Sequence, residues 1–289
     1  MNPKKLLHQM SAIERLNFLL TNRIPRRWAT RFMGWFSRIR QPLVKRVSMA
    51  VWQAFAGDLR LDEARRDHFE SMHDCFIREL RPGVRPVDPR PGILVSPCDG
   101  IVGAFGATNG TEVFQAKGFP YSLEELLGDA ELAGRYANGR FLTLRLTASM
   151  YHRFHAPESG RLREIRHIAG DTWNVNPIAL KRVERLFCRN ERAVLELALD
   201  ERQDCRILMV PVAAILVASL RLHALDEPLG LNYAGPARIP CDLGYQRGEE
   251  MGYFEQGSTV LLFTGPGFHF EEGVATGAHW RMGEAIMRY

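Results

Sequence analysis

The stretch Gln256-Gly257-Ser258-Thr259-Val260-Leu261-Leu262-Phe263 joins a flexible step to an apolar run. The run from Val260 onwards predicts a buried strand that would hold the preceding residues still. Gly257 lets the backbone turn tightly and lets other groups approach the peptide bond. Ser258 then has two interpretations. It is an ordinary turn residue before a strand, or it is a hydroxyl that becomes a nucleophile when a base activates it.

Upstream of this stretch, short apolar or β-branched segments alternate with turn residues, which predicts a β-rich body. Ile93–Val95 and residues 101–105 flank an Asp-Gly step and predict a hairpin. Residues 59–80 have helical spacing, and Tyr121 to Leu127 predicts a short helix capped by Ser122. The further predicted strands lie near residues 111–116, 141–146, 161–168, 193–198, 206–218 and 260–264.

The first 57 residues differ in charge from the rest of the chain. They hold eleven Lys or Arg and one acid, Glu14, whereas the remainder holds 27 bases and 32 acids. Pro25 and Pro42 divide them into three stretches in which apolar and aromatic residues recur at helical spacing. The predicted fold class is therefore α+β, with an arm of short amphipathic helices (residues 1–57) on a β-rich catalytic domain (residues 58–289).

Aromatic rings and arginines together in this arm are typical of a membrane interface, with rings at the headgroups and cations against anionic lipid. A helical bundle with a solvated basic face is the alternative. No nucleic-acid partner is predicted, since no nucleic-acid module accompanies the charge.

Cysteine usage and hydropathy indicate the kind of cellular compartment in which the protein resides. The five cysteines of the 289-residue chain are scattered and form no Cys-x-x-Cys pair, which argues against a disulfide framework or a zinc knuckle and for a reducing compartment. No secretory leader is predicted. The run from Ile207 to Leu220 contains Pro211 and is too short to span a bilayer easily, so it predicts buried strands.

Three predicted strand ends carry an acid, imidazoles and a hydroxyl: Asp99, the pair His152 and His155, and Ser258. Such groups form a charge-relay set when the acid orients a histidine that takes the serine proton. Two histidines and an acid are also compatible with zinc, although the helical His-Glu-x-x-His pattern is absent. Each residue has a structural alternative, with Asp99 in a turn and His155 in the core. A membrane-surface hydrolase, either Asp/His/Ser or metal-dependent, remains open from the residue types alone.

Five groups of motifs favour one of these alternatives. In these motifs the chain resembles the phosphatidylserine decarboxylases, and the resemblance covers most of residues 59–265. The N-terminal arm is similar to that of the bacterial members in character only. The motifs are Ser96-Pro97-Cys98-Asp99-Gly100, Gln115-Ala116-Lys117-Gly118 with Tyr121-Ser122-Leu123-Glu124, Tyr151-His152-Arg153-Phe154-His155-Ala156-Pro157, Leu186-Phe187-Cys188-Arg189-Asn190-Glu191-Arg192, and Gly257-Ser258-Thr259-Val260.

The resemblance implies a self-processing enzyme. Ser258, activated by His155 and oriented by Asp99, would attack the carbonyl of Gly257 and convert the peptide into an ester. β-Elimination would then cut the chain into a β chain of residues 1–257 and an α chain of residues 258–289. Loss of ammonia would leave a covalent pyruvoyl group on the former Ser258, which is the implied cofactor. No metal is implied.

The resemblance also implies the reaction and the partners. The pyruvoyl ketone would form a Schiff base with the amine of phosphatidylserine, accept the electron pair as carbon dioxide leaves, and release phosphatidylethanolamine. His152 is assigned to proton handling or carboxylate positioning in this step and His155 mainly to self-cleavage, with an exchange of roles left open. The expected partners are phosphatidylserine, an anionic membrane surface and the enzyme's own α and β chains, with a further homodimer left open. The expected location is peripheral, on the cytoplasmic side of the cell membrane.

Overall fold

The computed structural model describes residues 25–114, 119–202, 205–215, 219–255 and 258–289, together with the helical residues 14, 18, 19 and 22. From residue 25 onwards its helices are α1 (Arg26–Phe36), α2 (Pro42–Ala56), α3 (Met72–Phe76), α4 (Leu123–Leu127), α5 (Ala130–Arg135), α6 (Pro177–Leu180) and α7 (Leu186–Arg189), with a 3-10 turn at Leu61–Glu63. Its strands are β1 (Ile93–Val95), β2 (Gly100–Ala107), β3 (Glu112–Phe114), β4 (Pro120–Ser122), β5 (Arg140–Leu146), β6 (Arg153–His155), β7 (Gly160–Ile168), β8 (Arg192–Leu199), β9 (Arg206–Ala213), β10 (Ser219–Leu222), β11 (Leu229–Gly230), β12 (Arg238–Tyr245), β13 (Glu250–Phe254), β14 (Ser258–Thr264), β15 (His269–Phe270), β16 (His279–Trp280) and β17 (Ala285–Arg288). The predicted α+β class with a β-rich body is confirmed.

The strand that opens with Ser258 lies in the middle of the main sheet. Within the described ranges this antiparallel sheet has the order β12-β7-β8-β9-β14-β5-β2-β16. All residues of β14 are buried, and the strand pairs along its whole length with β5 on one side and β9 on the other. The predicted buried strand is confirmed, and Ser258 is its first residue rather than part of a preceding turn.

The two faces of β14 belong to two different hydrophobic clusters, because successive side chains of a strand point to opposite faces. Val260 and Leu262 pack in one cluster with residues of the sheet β11-β10-β13-β6, such as Phe154 and Phe254. Leu261 and Phe263 pack in the other cluster, with residues of α4 to α7. The main sheet is thus covered on both faces, and Ser258 lies at one end of its central strand.

The predicted hairpin at residues 93–105 is wrong. Both strands exist, but β1 pairs with β17 near the C-terminus, whereas β2 pairs with β5 and β16. Leu94 and Val102 are each buried against residues far away in sequence, and this burial outweighs the local turn signal at Asp99 and Gly100. The segment between the strands is therefore free to hold Asp99 in the site described below.

The predicted helix over residues 59–80 is also largely wrong. Only the 3-10 turn Leu61–Glu63 and the short helix α3 form there. Backbone groups pair across the segment instead, from Arg65 N–H to the Glu79 carbonyl and from Arg81 N–H to the Glu63 carbonyl. Tertiary pairing has overridden the helical spacing.

Two of the three predicted arm helices are confirmed as α1 and α2. α2 begins with Pro42 after Gln41, whose side chain caps the helix by accepting a hydrogen bond from Val44 N–H. The third, over residues 1–22, falls almost entirely outside the described residues. Both helices carry apolar side chains that are largely exposed: Trp28, Phe32, Trp35, Leu43, Val47, Val51 and Phe55. In the part of the chain that the structure describes, no helix is long and apolar enough to cross a membrane.

Candidate active site

The Ser258 hydroxyl is buried and finds no hydrogen-bond partner in the described part of the chain. Ser258 is 0% exposed, its Cα partners are Leu146 on β5 and Ala213 on β9, and its Oγ has no hydrogen-bond partner among the described residues. An unsatisfied buried hydroxyl costs about 1–3 kcal/mol, so such groups are uncommon unless they have a function. Gly257, the other half of the predicted cleavage site, lies outside the described residues.

Ser258 lines a cavity of about 890 Å³ between the arm helices and the end of the main sheet. The cavity wall is mostly apolar and receives side chains from α1, α2 and α3. These apolar residues are Met33, Phe36, Leu43, Val44, Val47, Val51, Trp52, Met72 and Phe76. Because Leu43, Val47 and Val51 are also largely exposed, the cavity opens towards the apolar surface of the arm.

His152 stands behind this wall with one free nitrogen. Its ring packs on Phe76, with 4.0 Å between the ring centroids, and Phe76 lines the cavity. Its Nδ1 lies 2.8 Å from the Met150 carbonyl, so Nδ1 carries the proton and donates a hydrogen bond to that carbonyl. Nε2 is buried and has no partner among the described residues. Burial, reinforced by the nearby charge of Arg78, lowers the pKa of His152 to about 3, so the ring is a neutral base at pH 7.

His155 is also a buried neutral imidazole, but both of its nitrogens are occupied. Nδ1 lies 3.0 Å from the Gly248 carbonyl and must donate to it, while Nε2 lies 3.1 Å from the Tyr151 hydroxyl. Burial lowers the pKa of His155 and raises that of Tyr151. The phenol therefore keeps its proton and donates a hydrogen bond to Nε2.

Asp99 is held by an arginine that sequence reasoning missed. Arg85 contacts the carboxylate twice, with Nε 2.9 Å from Oδ1 and Nη2 2.5 Å from Oδ2, and the Met282 N–H donates to Oδ1 over 2.9 Å. The same guanidinium lies 2.7 Å from a Glu63 carboxylate oxygen. Arg85 belongs to a Pro- and Gly-rich connector with no periodic pattern, so no local signal indicated this role.

The structure thus brings the predicted residues to one region without joining them directly. His155 N–H donates to the Pro97 carbonyl over 2.8 Å, which holds His155 beside the turn that carries Asp99. Ser258 and Phe76 share the cavity, and Phe76 is the residue that contacts His152. No hydrogen bond between described residues connects Asp99 with His155, or either histidine with Ser258 Oγ. Among the described residues, the four groups thus lie in one region without a direct hydrogen bond between any two of them.

Comparisons with known proteins show the family to which the chain belongs. A family model described as phosphatidylserine decarboxylase matches residues 72–288. The phosphatidylserine decarboxylase proenzyme of Vibrio cholerae serotype O1 is 35% identical over 272 residues, which cover 90% of this chain and 94% of that protein.

Two further relatives carry the same description. The proenzyme of Chromobacterium violaceum is 40% identical over 231 residues, or 75% of this chain and 78% of the relative. That of Methylibium petroleiphilum is 37% identical over 283 residues, or 94% and 97% of the two chains. By the family match and by the length and identity of these alignments, the chain belongs to the phosphatidylserine decarboxylase family.

Proposed function

We propose that this enzyme decarboxylates phosphatidylserine to phosphatidylethanolamine with a pyruvoyl group that it makes by cutting itself between Gly257 and Ser258. The observation that carries the proposal is the buried Ser258 hydroxyl, which has no partner among the described residues and lines a mostly apolar cavity of about 890 Å³, in a chain of this family.

The residues at the head of β14 fit such a group. Among the described residues Ser258 Oγ has no hydrogen bond to lose when it is consumed. A pyruvoyl group supplies an electrophilic carbonyl that serves as an electron sink for amine substrates, as pyridoxal phosphate does elsewhere.

The proposed division of labour follows from the two neutral imidazoles. His155 Nε2 accepts the hydroxyl proton of Ser258 during self-cleavage, after the Tyr151 hydroxyl has released that nitrogen. Asp99, fixed by Arg85, supports the positive charge that His155 then carries. His152, whose Nε2 is free behind Phe76, handles a proton during decarboxylation.

The cavity supports a diacyl lipid as substrate. Its apolar walls suit the glycerol backbone and the upper acyl chains, and its mouth meets the exposed apolar side chains of α1 and α2. A lipid whose headgroup reaches Ser258 could therefore leave its acyl tails in the bilayer. This favours peripheral association of the arm with an anionic, cytoplasmic membrane surface.

Substitution of two arm residues should weaken membrane binding. Trp28 and Phe55 are 74% and 90% exposed, and each aromatic ring buried in the interface contributes about 1.5–3 kcal/mol. We therefore expect the double change Trp28→Ser and Phe55→Ser to lower the partition coefficient onto phosphatidylserine-containing vesicles, measured by cosedimentation, by at least about 100-fold. Binding of the unaltered protein should fall as salt rises, because the arm is basic.

The matched control for this change is Phe114→Ser, which alters an aromatic residue that is 47% exposed outside the arm. It should bind vesicles as the unaltered protein does. Equal loss of binding in both variants, or in neither, would contradict a membrane role of the arm.

The proposed α chain should remain attached after cleavage. Within residues 258–289, β14 is paired on both sides, β16 pairs with β2, and β17 lies between β1 and β15. Cutting before Ser258 leaves all of these pairings in place. The α and β chains should therefore copurify as a heterodimer, while a further homodimer stays a prediction.

An intact-mass measurement under denaturing conditions tests the proposal. Two chains are expected, 1–257 and 258–289, with the smaller one lighter by one ammonia than a fragment that begins with serine. A serine or metal-dependent hydrolase using the same Asp99, His155 and Ser258 would keep one intact chain. A single chain from an active preparation would thus favour that alternative over self-cleavage.

A further inference from the structure

We propose that Arg145 binds the phosphodiester of the lipid substrate inside the cavity, beside Ser258. This inference rests on the proposed function and adds to it the residue that fixes the anionic part of the headgroup.

Arg145 is a cation on the cavity wall that has no counter-ion in the part of the chain that the structure describes. It lies near the end of β5 and lines the same cavity as Ser258. Among the described residues, no carboxylate lies within salt-bridge distance of its guanidinium and no hydrogen bond engages it. The other titratable residue on the wall, His73, lies 3.7 Å from the Glu255 carboxylate.

The register of the main sheet places Arg145 and Ser258 on adjacent strands at the end of the sheet that borders the cavity. Arg145 pairs with Thr259, and its neighbour Leu146 pairs with Ser258. Arg145 therefore shares a face of the sheet with Thr259, and Ser258 lies on the other face, but both residues line the cavity at this end of the sheet. In a phosphoserine headgroup only two carbons and one oxygen separate the amine from the phosphorus, so the two groups must be bound close together.

An anion would compensate Arg145 where it stands. Burial lowers its pKa, yet a guanidinium stays protonated in proteins, so a partly desolvated charge remains on an otherwise apolar wall. Guanidinium groups bind phosphate oxygens through paired, charge-assisted hydrogen bonds. An apolar cavity with one uncompensated guanidinium suits an amphiphile that carries a single fixed negative charge.

The phosphodiester is the better partner of the two anionic groups in phosphatidylserine. Decarboxylation removes the negative charge of the carboxylate, so a cation on that group would stabilise the ground state more than the transition state. The phosphodiester keeps its charge throughout the reaction. A cation there binds substrate and transition state equally, which lowers KM and leaves kcat unchanged.

The kinetic test compares Arg145→Gln with Arg140→Gln, which removes an arginine at the far end of the same strand. Both variants and the unaltered protein are first checked for cleavage by intact mass and then assayed on phosphatidylserine in neutral detergent micelles. We expect Arg145→Gln to raise KM about 10- to 100-fold, because the charge-assisted hydrogen bonds to the phosphodiester are lost. Its kcat should change by less than about threefold, and Arg145→Lys should fall between. Arg140→Gln should behave as the unaltered protein does.

A binding measurement keeps the test independent of cleavage. Calorimetric titration with dihexanoyl phosphatidylglycerol, which has the phosphodiester but no amine, is made on uncut Ser258→Ala protein with and without Arg145→Gln. The added change should weaken binding about 10- to 100-fold. Dihexanoylglycerol, which lacks the phosphodiester, should bind both forms equally.

The outcomes separate this inference from the proposed function. An unaltered protein that is uncut contradicts self-cleavage, whereas the titration still reports on Arg145. Equal phosphatidylglycerol affinity in the two forms overturns the role of Arg145. A cut, active Arg145→Gln enzyme with unchanged KM, or with a reduced kcat at unchanged KM, overturns it as well.

Discussion

Replacement of Ser258 by alanine is expected to yield a single chain of 32.9 kDa without decarboxylase activity. The alanine has no hydroxyl to attack the Gly257 carbonyl, so neither the chain cut nor the pyruvoyl group can form. Because the proposed pyruvoyl group would supply the electron sink for the reaction, activity should fall by at least about 10⁶-fold, to the detection limit. Intact mass and a carbon dioxide release assay measure the two losses together.

Loss of stability should not explain this result. Ser258 Oγ is buried without a partner among the described residues, so its removal discards an unsatisfied polar group and no hydrogen bond. Ser258→Ala should therefore unfold at a temperature no lower than that of uncut unaltered protein.

Thr264→Val is the matched control for this change. Thr264 ends the same strand, and its hydroxyl is likewise buried and unpaired among the described residues. That variant should be cut and active. A cut Ser258→Ala chain would overturn the assignment of the nucleophile.

Asparagine at the two histidines should separate self-cleavage from decarboxylation. The asparagine amide can replace Nδ1–H as the donor to the Met150 carbonyl at position 152 and to the Gly248 carbonyl at position 155. Either substitution therefore removes mainly the Nε2 base. We expect His155→Asn to slow self-cleavage by at least about 100-fold, and His152→Asn to be cut normally with kcat reduced about 10²–10⁴-fold.

The pattern of the two defects decides the assignment. Mass spectra taken during expression follow the cut, and single-turnover assays on the cut protein follow decarboxylation. An uncut His152→Asn together with a normally cut His155→Asn would reverse the two roles. The free Nε2 of His152 makes this reversal the most informative contrary result, because His155 must first lose its bond to Tyr151.

Local signals in the sequence predicted several elements correctly. Pro42 and the spacing of apolar residues after it predicted α2, Ser122 predicted the start of α4, and the run from Val260 predicted β14. Each signal depends on neighbouring residues, through caps, fixed φ angles or side-chain periodicity, and so can be seen without the fold. The motifs likewise pointed to Asp99, His152, His155 and Ser258 as candidates.

Wrong predictions arose where distant contacts outweigh local ones. The turn at Asp99 and Gly100 is typical of a hairpin. Instead β1 pairs with β17 and β2 pairs with β5, because those pairings bury Leu94 and Val102. In residues 59–80 the helical spacing was likewise overridden by backbone pairing between distant residues, such as Arg65 and Glu79.

The sequence by itself determined the class of fold, the basic amphipathic arm and the chemical identity of the candidate residues. Only the tertiary structure decided their surroundings. The contact of Arg85 with Asp99, that of Tyr151 with His155, and the shared cavity of Arg145 and Ser258 depend on which strands and loops meet. The physical reason is that charge compensation and desolvation are set by neighbours in space, and a pattern of adjacent residues does not encode them.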